Sequence, residues 1–258
     1  MTNSPANKLR TDSSVMERVN AVMSLEKVDH KNLAGEVKHY LADRSPTVRA
    51  ACIEIIKKRR LHDFKSDVLT LFSDKNAAVR YTAVECLGAF YENEGIAASW
   101  LYPLLKDPSE LVRIETLESL GRIGDKEAIP LIVEKLEDNS PLVRSYAARF
   151  VADLGGEKYL PVLQTRKSRE DDDVAKVGLA HALFSAGDAA QLSILLELLS
   201  SDKYTVRCAS ANSLSVLDFT SVQSQAVLAA VSHAADNALA VADRSTMERV
   251  KKKLRKQL

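Results

Sequence analysis

Glycine and aromatic residues are scarce in this chain: nine Gly and 5% Phe, Trp and Tyr among 258 residues. Propellers and β-sandwiches need turn glycines and strand-forming aromatics, so this composition argues against both. Cysteine is rarer still. Cys52, Cys86 and Cys208 are widely spaced and form no CxxC pair, which points to neither a disulfide framework nor a zinc site. Reduced thiols fit a cytoplasmic location. Long apolar runs are missing too: the most hydrophobic stretch, residues 192–199, is too short to span a bilayer and contains Glu197. Residues 1–10 lack the apolar segment of a secretory signal and read as a flexible N-terminus. Nor is one sign of charge in excess. The 36 Lys and Arg against 35 Asp and Glu leave a net charge of +1, which by itself calls for no polyanionic partner.

What the chain has is repetition. Asp43-Arg-Ser-Pro-Thr-Val48-Arg49, Asp74-Lys-Asn-Ala-Ala-Val79-Arg80, Asp107-Pro-Ser-Glu-Leu-Val112-Arg113 and Asp138-Asn-Ser-Pro-Leu-Val143-Arg144 share one pattern, with valines 31, 33 and 31 residues apart. The same step reaches Val174 and Val206-Arg207, and backwards it reaches Glu17-Arg18 with Asp12 upstream. A fixed period of this length marks a stacked repeat array. Residues 125–155 show one unit. Asp125 caps a first helix with Ile129, Ile132, Val133 and Leu136 on one face, and Asp138-Asn139 ends it. Ser140-Pro141 starts a second helix whose inward stripe is Val143, Ala147, Val151 and Leu154, closed by Gly155-Gly156. Ser45-Pro46, Asn76 and Ser109 start other second helices in the same way. Such helix pairs bury each other only in part, so each needs neighbours.

The recurring Asp and Val-Arg, with Pro130 eight residues before Asp138 and Pro161 eight before Arg169, resembles the HEAT repeat. It resembles in particular the short, roughly 30-residue form of the phycobilin-lyase-type HEAT-like proteins, and the likeness runs from about Asp12 to Val216. The resemblance implies an all-α, right-handed α-α superhelix of the HEAT/armadillo type with about seven or eight two-helix repeats. Residues 11–258 would form a single solenoid closed by a capping helix pair at 219–257. It also implies that Asp43, Arg49, Asp74, Arg80, Asp107, Arg113, Asp138 and Arg144 form a structural ladder tying the inter-helix turns together. The sixth copy departs from the pattern: Arg169 stands at the acid position, Val174-Ala175 replaces Val-Arg, and Glu170-Asp-Asp-Asp173 lies between. Losing the tie there predicts a looser junction at 160–185.

In HEAT-like arrays the second helices line the concave face, which puts specificity in columns two and six residues after each valine. The first column reads Ala50, Tyr81, Ile114, Ser145, Lys176 and Cys208; the second reads Glu54, Glu85, Glu118, Arg149, Ala180 and Asn212. Core packing uses other positions, so these columns should face away from it. Tyr81, Glu85, Ile114, Glu115, Glu118, Arg122, Tyr146 and Arg149 then form a mixed apolar and charged patch, a composition typical of interface anchors. The expected function is a non-catalytic scaffold or adaptor, monomeric, binding a partner protein of basic or mixed charge. The alternative implied by the resemblance is a chromophore chaperone or lyase subunit of the phycobilin type. Nucleic acid is disfavoured. The basic runs 57–60 and 251–256 read as helix ends complementing the dipole, and the inner column is acidic at 54, 85 and 118. No cofactor, metal site or catalytic spacing stands out. The five histidines are scattered, the His-Glu dipeptides of the HEAT-like deoxyhypusine hydroxylases are absent, and Trp100 reads as packing.

Overall fold

A computed structural model of the chain describes residues 14–28, 33–94, 98–238 and 241–255. The expected flexible segment at 1–10 and Asp12 lie outside the described residues. Every regular element among these residues is helical. The chain divides into two compact units, Met1–Ile123 and Gly124–Leu258.

The first unit contains α1 (Val15–Ser24), α2 (Leu33–Leu41), α3 (Pro46–Lys58), α4 (Lys65–Thr70), α5 (Ala77–Glu94) and α6 (Glu110–Ile123). The second helices α1, α3, α5 and α6 pack directly on one another in that order. The first helices are shorter and wind tightly. Helix α4 passes into a 3-10 turn at Leu71–Ser73, and Tyr102–Lys106 is 3-10 throughout, with Pro103 in its first turn. The core joins Val37, Val48, Cys52, Ile56, Val79, Cys86 and Phe90. Each large side chain fully buried there contributes about 1.5–3 kcal/mol. Trp100 is 41% exposed on its 3-10 turn rather than packed inside.

The second unit contains α7 (Ile129–Glu134), α8 (Pro141–Gly155), α9 (Leu160–Lys167), α10 (Asp173–Ser185), α11 (Gln191–Leu198), α12 (Tyr204–Leu214), α13 (Ser221–Asp236) and α14 (Val241–Leu254). Helices α8, α10, α12 and α14 stack as the second helices do in the first unit, and α13 pairs with α14. Gly156 follows α8 at φ 61° and Gly187 follows α10 at φ 100°, the left-handed geometry in which a side chain is strained. Gly178 allows α10 to meet α8 closely: a Cβ there would lie 2.2 Å from the Ser145 carbonyl oxygen.

The ladder is built by one rule. Arg18 donates to both oxygens of Asp43 (2.8 and 3.1 Å), Arg49 to both of Asp74 (2.7 and 2.8 Å), and Arg80 to both of Asp107 (2.7 and 2.7 Å). Each of these three arginines therefore reaches forward to the acid of the next copy. With Nη1 it also holds the carbonyl of its own copy's acid: Arg49 that of Asp43, Arg80 that of Asp74, Arg113 that of Asp107 and Arg144 that of Asp138. The carboxylates, rather than Ser45 alone, open the helices. Asp43 accepts from the Ser45 N–H, Asp74 from Asn76, Asp107 from Ser109 and Asp138 from Ser140, while the Ser45 side chain makes no capping bond. Burial alone would raise the Asp43, Asp74 and Asp107 carboxyls. The arginine and backbone N–H bonds outweigh it and lower all three.

The sixth copy corrects the sequence reading. Arg144 donates to both oxygens of Glu170 at 2.8 and 2.9 Å, and Glu170 accepts from the Asp172 N–H, so Glu170 rather than residue 169 is the ladder acid. Ala175, not Val174, is the fully buried counterpart of Val143 and Val206. The copy has its tie, and the looser junction expected at 160–185 loses its premise. The pair missing from the ladder comes one step later. Lys176 occupies the arginine position and bonds to Asp173 within its own helix, and Ser201 occupies the next acid position. Arg207 resumes the ladder by gripping Asp243, a fully buried carboxylate in the first turn of α14.

Candidate functional site

The predicted patch residues fall into two groups, one in each unit. In the first unit α3, α5 and α6 bring Glu54, Lys57, Tyr81, Glu85, Glu115, Glu118, Ser119 and Arg122 onto one side of the stacked second helices. Lys57 Nζ bridges Glu54 and Glu85 at 2.9 Å each, which links α3 to α5. Arg122 Nη2 donates to Glu115 Oε1 at 2.5 Å and to Ser119 Oγ at 3.0 Å. Ser119 Oγ also donates to Glu115 Oε1 at 3.2 Å. Tyr81 adds a hydrogen bond to Glu115 from α5. Burial, then the neighbouring Glu115, pushes the Tyr81 phenol up to about 12. Burial also raises the Glu115 carboxyl, with Arg122 opposing and Glu118 reinforcing the shift.

Two residues of the predicted face are turned inward. Ile114 is buried, and Glu115 is only 2% exposed. The reason is the close approach of α5 to α6: Gly88 lies where a Cβ would come within 2.4 Å of Ser119 Oγ, so the α6 face toward α5 is covered. Tyr81, Glu85 and Glu118 stay half-buried and Arg122 exposed, leaving a charged, mostly acidic surface over a buried Tyr-Glu-Ser core. Each of Glu115, Lys57 and Arg122 is paired within the cluster, an arrangement that fixes side chains in place. Lys57 and Ser119 belong to it, although the sequence reading took Lys57 only as part of a basic run at a helix end and did not single out Ser119. Their signal was helical spacing: Lys57 is three residues after Glu54, and Ser119 is four after Glu115. Two more residues of the basic run are also engaged internally, Lys58 with Glu26 and Arg59 with the Leu25 and Val28 carbonyls.

In the second unit Tyr146 and Arg149 share one helix, with the guanidinium carbon 5.7 Å from the Tyr146 ring centroid. They line a partly enclosed cavity of about 280 Å³ between α8, α10 and α12, together with Ser145, Tyr204, Cys208 and Ser213. Beside it, His181 Nδ1 lies 2.7 Å from Ser213 Oγ. Burial, then the charge of Arg149, pushes the His181 imidazole down to about 3, so it is neutral at physiological pH. The sequence reading missed His181 because of the one-residue shift: counted from Ala175 rather than Val174, the two specificity columns pass through Val177 and His181. Among the described residues no group of three or more His, Cys, Asp or Glu side chains is arranged to hold a metal ion, and no helix is long and apolar enough to cross a membrane.

Short helix pairs, stacked by their second helices and stitched by forward-reaching arginines, define an α-solenoid repeat protein. Family comparisons agree along the chain: HEAT repeats match residues 98–183, a HEAT repeat matches 66–93, and a HEAT repeat associated with sister chromatid cohesion matches 29–56. The chain is a HEAT-repeat protein. Among solved structures it is similar to the complex of CpcE and CpcF of phycocyanin lyase from Nostoc sp. PCC7120. The TM-score is 0.59 at 14% identity, over 88% of this chain and 98% of that one. It is also similar to the YibA protein of Escherichia coli, with a TM-score of 0.51 at 16% identity over 95% of this chain and 98% of that one. At these identities the likeness is one of fold. No curated protein sequence matches the chain.

Proposed function

We propose that this chain is a non-catalytic adaptor that binds a partner protein through the charged face of its first unit. HEAT repeats serve protein interaction, which supports the class. The observation that carries the assignment is the cluster on α3, α5 and α6, where Lys57 and Arg122 hold the carboxylates of Glu54, Glu85 and Glu115 in fixed positions. Glu54, Glu85 and Glu118 against Lys57 and Arg122, over the buried Glu115, leave a net negative surface. Its complement is a basic or mixed-charge protein face, and prearranged side chains lower the ordering cost of association. Tyr81 contributes a half-buried aromatic edge of the kind that anchors interfaces.

The test is affinity capture followed by mass spectrometry, repeated with Glu85→Arg/Glu118→Arg and with a control Glu134→Arg on α7. The adaptor reading requires a partner lost with the double reversal and retained with the control; equal capture by all three proteins overturns it. A second reading, a chromophore chaperone, is favoured by the likeness to the phycocyanin lyase pair. Visible absorbance of the purified protein after addition of a bilin separates the two.

A further inference from the structure

Arg149 differs in its surroundings from the ladder arginines. Its Nε is buried and, among the described residues, makes no hydrogen bond; the Tyr146 ring lies against the guanidinium, and the Asp153 carboxylate one turn further along the helix feels its charge without bonding to it. Arg149 as a whole is half-buried, but a buried N–H left without an acceptor is costly, because that donor has given up water for nothing in return. The cavity of about 280 Å³ opens onto this group, and its lining carries no other charge. Around it stand further donors: the hydroxyls of Ser145 and Tyr204 and the Asn212 amide, while the Ser213 hydroxyl is shared with His181 Nδ1. The Asn212 Oδ1 is already taken by Arg249 at 2.6 Å, which leaves its amide N–H groups as what it can offer a ligand. Val177 and the two tyrosine rings supply apolar walls.

We propose that this cavity is a binding site for a carboxylate carried on a small flat or aliphatic group, with Arg149 as the anion's partner. One guanidinium, already within the field of Asp153, balances at most a monoanion, and its planar fork matches the two oxygens of a carboxylate. A phosphate dianion would leave a buried charge uncompensated. The volume suits a ligand of side-chain size. Such a carboxylate can arrive as a free small acid or as a glutamate side chain presented by a peptide. The site lies wholly within the second unit and does not depend on the acidic face of the first.

Cys208 lines the cavity and is half-buried, whereas Cys52 and Cys86 are buried, so its alkylation reports occupancy. The full chain is treated with iodoacetamide in the presence of 3-phenylpropionate or its neutral amide. A second arm uses the blocked peptide acetyl-Ala-Glu-Ala-amide or its Gln counterpart. Occupancy by an acid slows Cys208 alkylation about fivefold at roughly four times its Kd, and the neutral analogue does not. Protection by phenylpropionate alone identifies the free acid as the source; protection by the Glu peptide identifies the side chain. Arg149→Gln removes the protection while Cys208 still reacts. Ala209→Leu, which narrows the cavity without touching Arg149, removes it as well and stands in if the first variant fails to fold. Equal protection by acid and neutral analogue, protection that survives Arg149→Gln, or no protection by either acid overturns the proposal.

Discussion

Arg80 spends its guanidinium twice, on both oxygens of Asp107 and on the Asp74 carbonyl, with its side chain 11% exposed and that of Asp107 4%. Removing the arginine strands a nearly buried carboxylate. Arg80→Ala is expected to cost about 3 kcal/mol in urea unfolding, since breaking a buried pair leaves one charge uncompensated. Arg80→Lys recovers only part of that, because an ammonium cannot serve two oxygens and a carbonyl in one plane. Lys176→Ala removes only a half-exposed pair with Asp173 and should change stability by less than about 1 kcal/mol. At this scale the sequence was readable for the ladder but not for the candidate face. Asp43, Arg49, Asp74 and Arg80 declare themselves by recurrence. The burial of Ile114 and Glu115 depends on how near α5 comes to α6, and that distance is set by a single glycine, Gly88, on the neighbouring element.

Between elements, the ladder lacks a rung at Lys176. The arginines lie 25 residues before their acids at Arg18, Arg49 and their partners, and the same interval joins Lys176 to Ser201. Both halves of that tie are replaced, so repairing one alone gains little. Lys176→Arg with Ser201→Asp is expected to stabilise the second unit by about 1–2 kcal/mol beyond the sum of the single changes, a coupling that a double-mutant cycle measures. Hydrogen exchange in α11 and α12 should slow in the double variant. Close packing gives the opposite kind of test: Gly178→Ala pushes a methyl into the Ser145 backbone and should cost about 3 kcal/mol, read as a fall in Tm. The sixth copy was misread in sequence because Glu170-Asp-Asp-Asp173 offers four acids for one position and alanine replaces the valine. Only burial, with Ala175 inside and Val174 half-out, fixes the register.

Over the whole molecule these ionisable groups add into one pH response. The carboxyls of Asp43, Asp74, Asp107 and Glu170 are lowered in the folded state, so their contribution is complete above the unfolded value of about 4 and fades as pH falls through the folded values. His181 acts earlier. The unfolded imidazole takes up a proton below about pH 6.5, whereas the folded one resists until about 3, so stability declines across that window as the medium becomes acidic. Its share between pH 6.5 and 4 is about 3 kcal/mol. Denaturant titrations at stepped pH should show a gentle decline from near neutrality and a steeper one below about pH 4, and His181→Gln should flatten the first stage alone. The all-helical repeat class was legible from period and composition, because each copy repeats the same local instructions.

That sameness has a consequence for how such a chain lengthens. Every regular copy carries a donor facing forward and an acceptor facing back, so the coupling is directional and each copy fits its own duplicate. Copying residues 43–73 in tandem would set Arg49 opposite a second Asp43 and the new Arg49 opposite Asp74, closing both joints with no change elsewhere. An array stitched in this way can grow or shrink by whole copies within a unit through duplication or deletion alone, without waiting for compensating mutations.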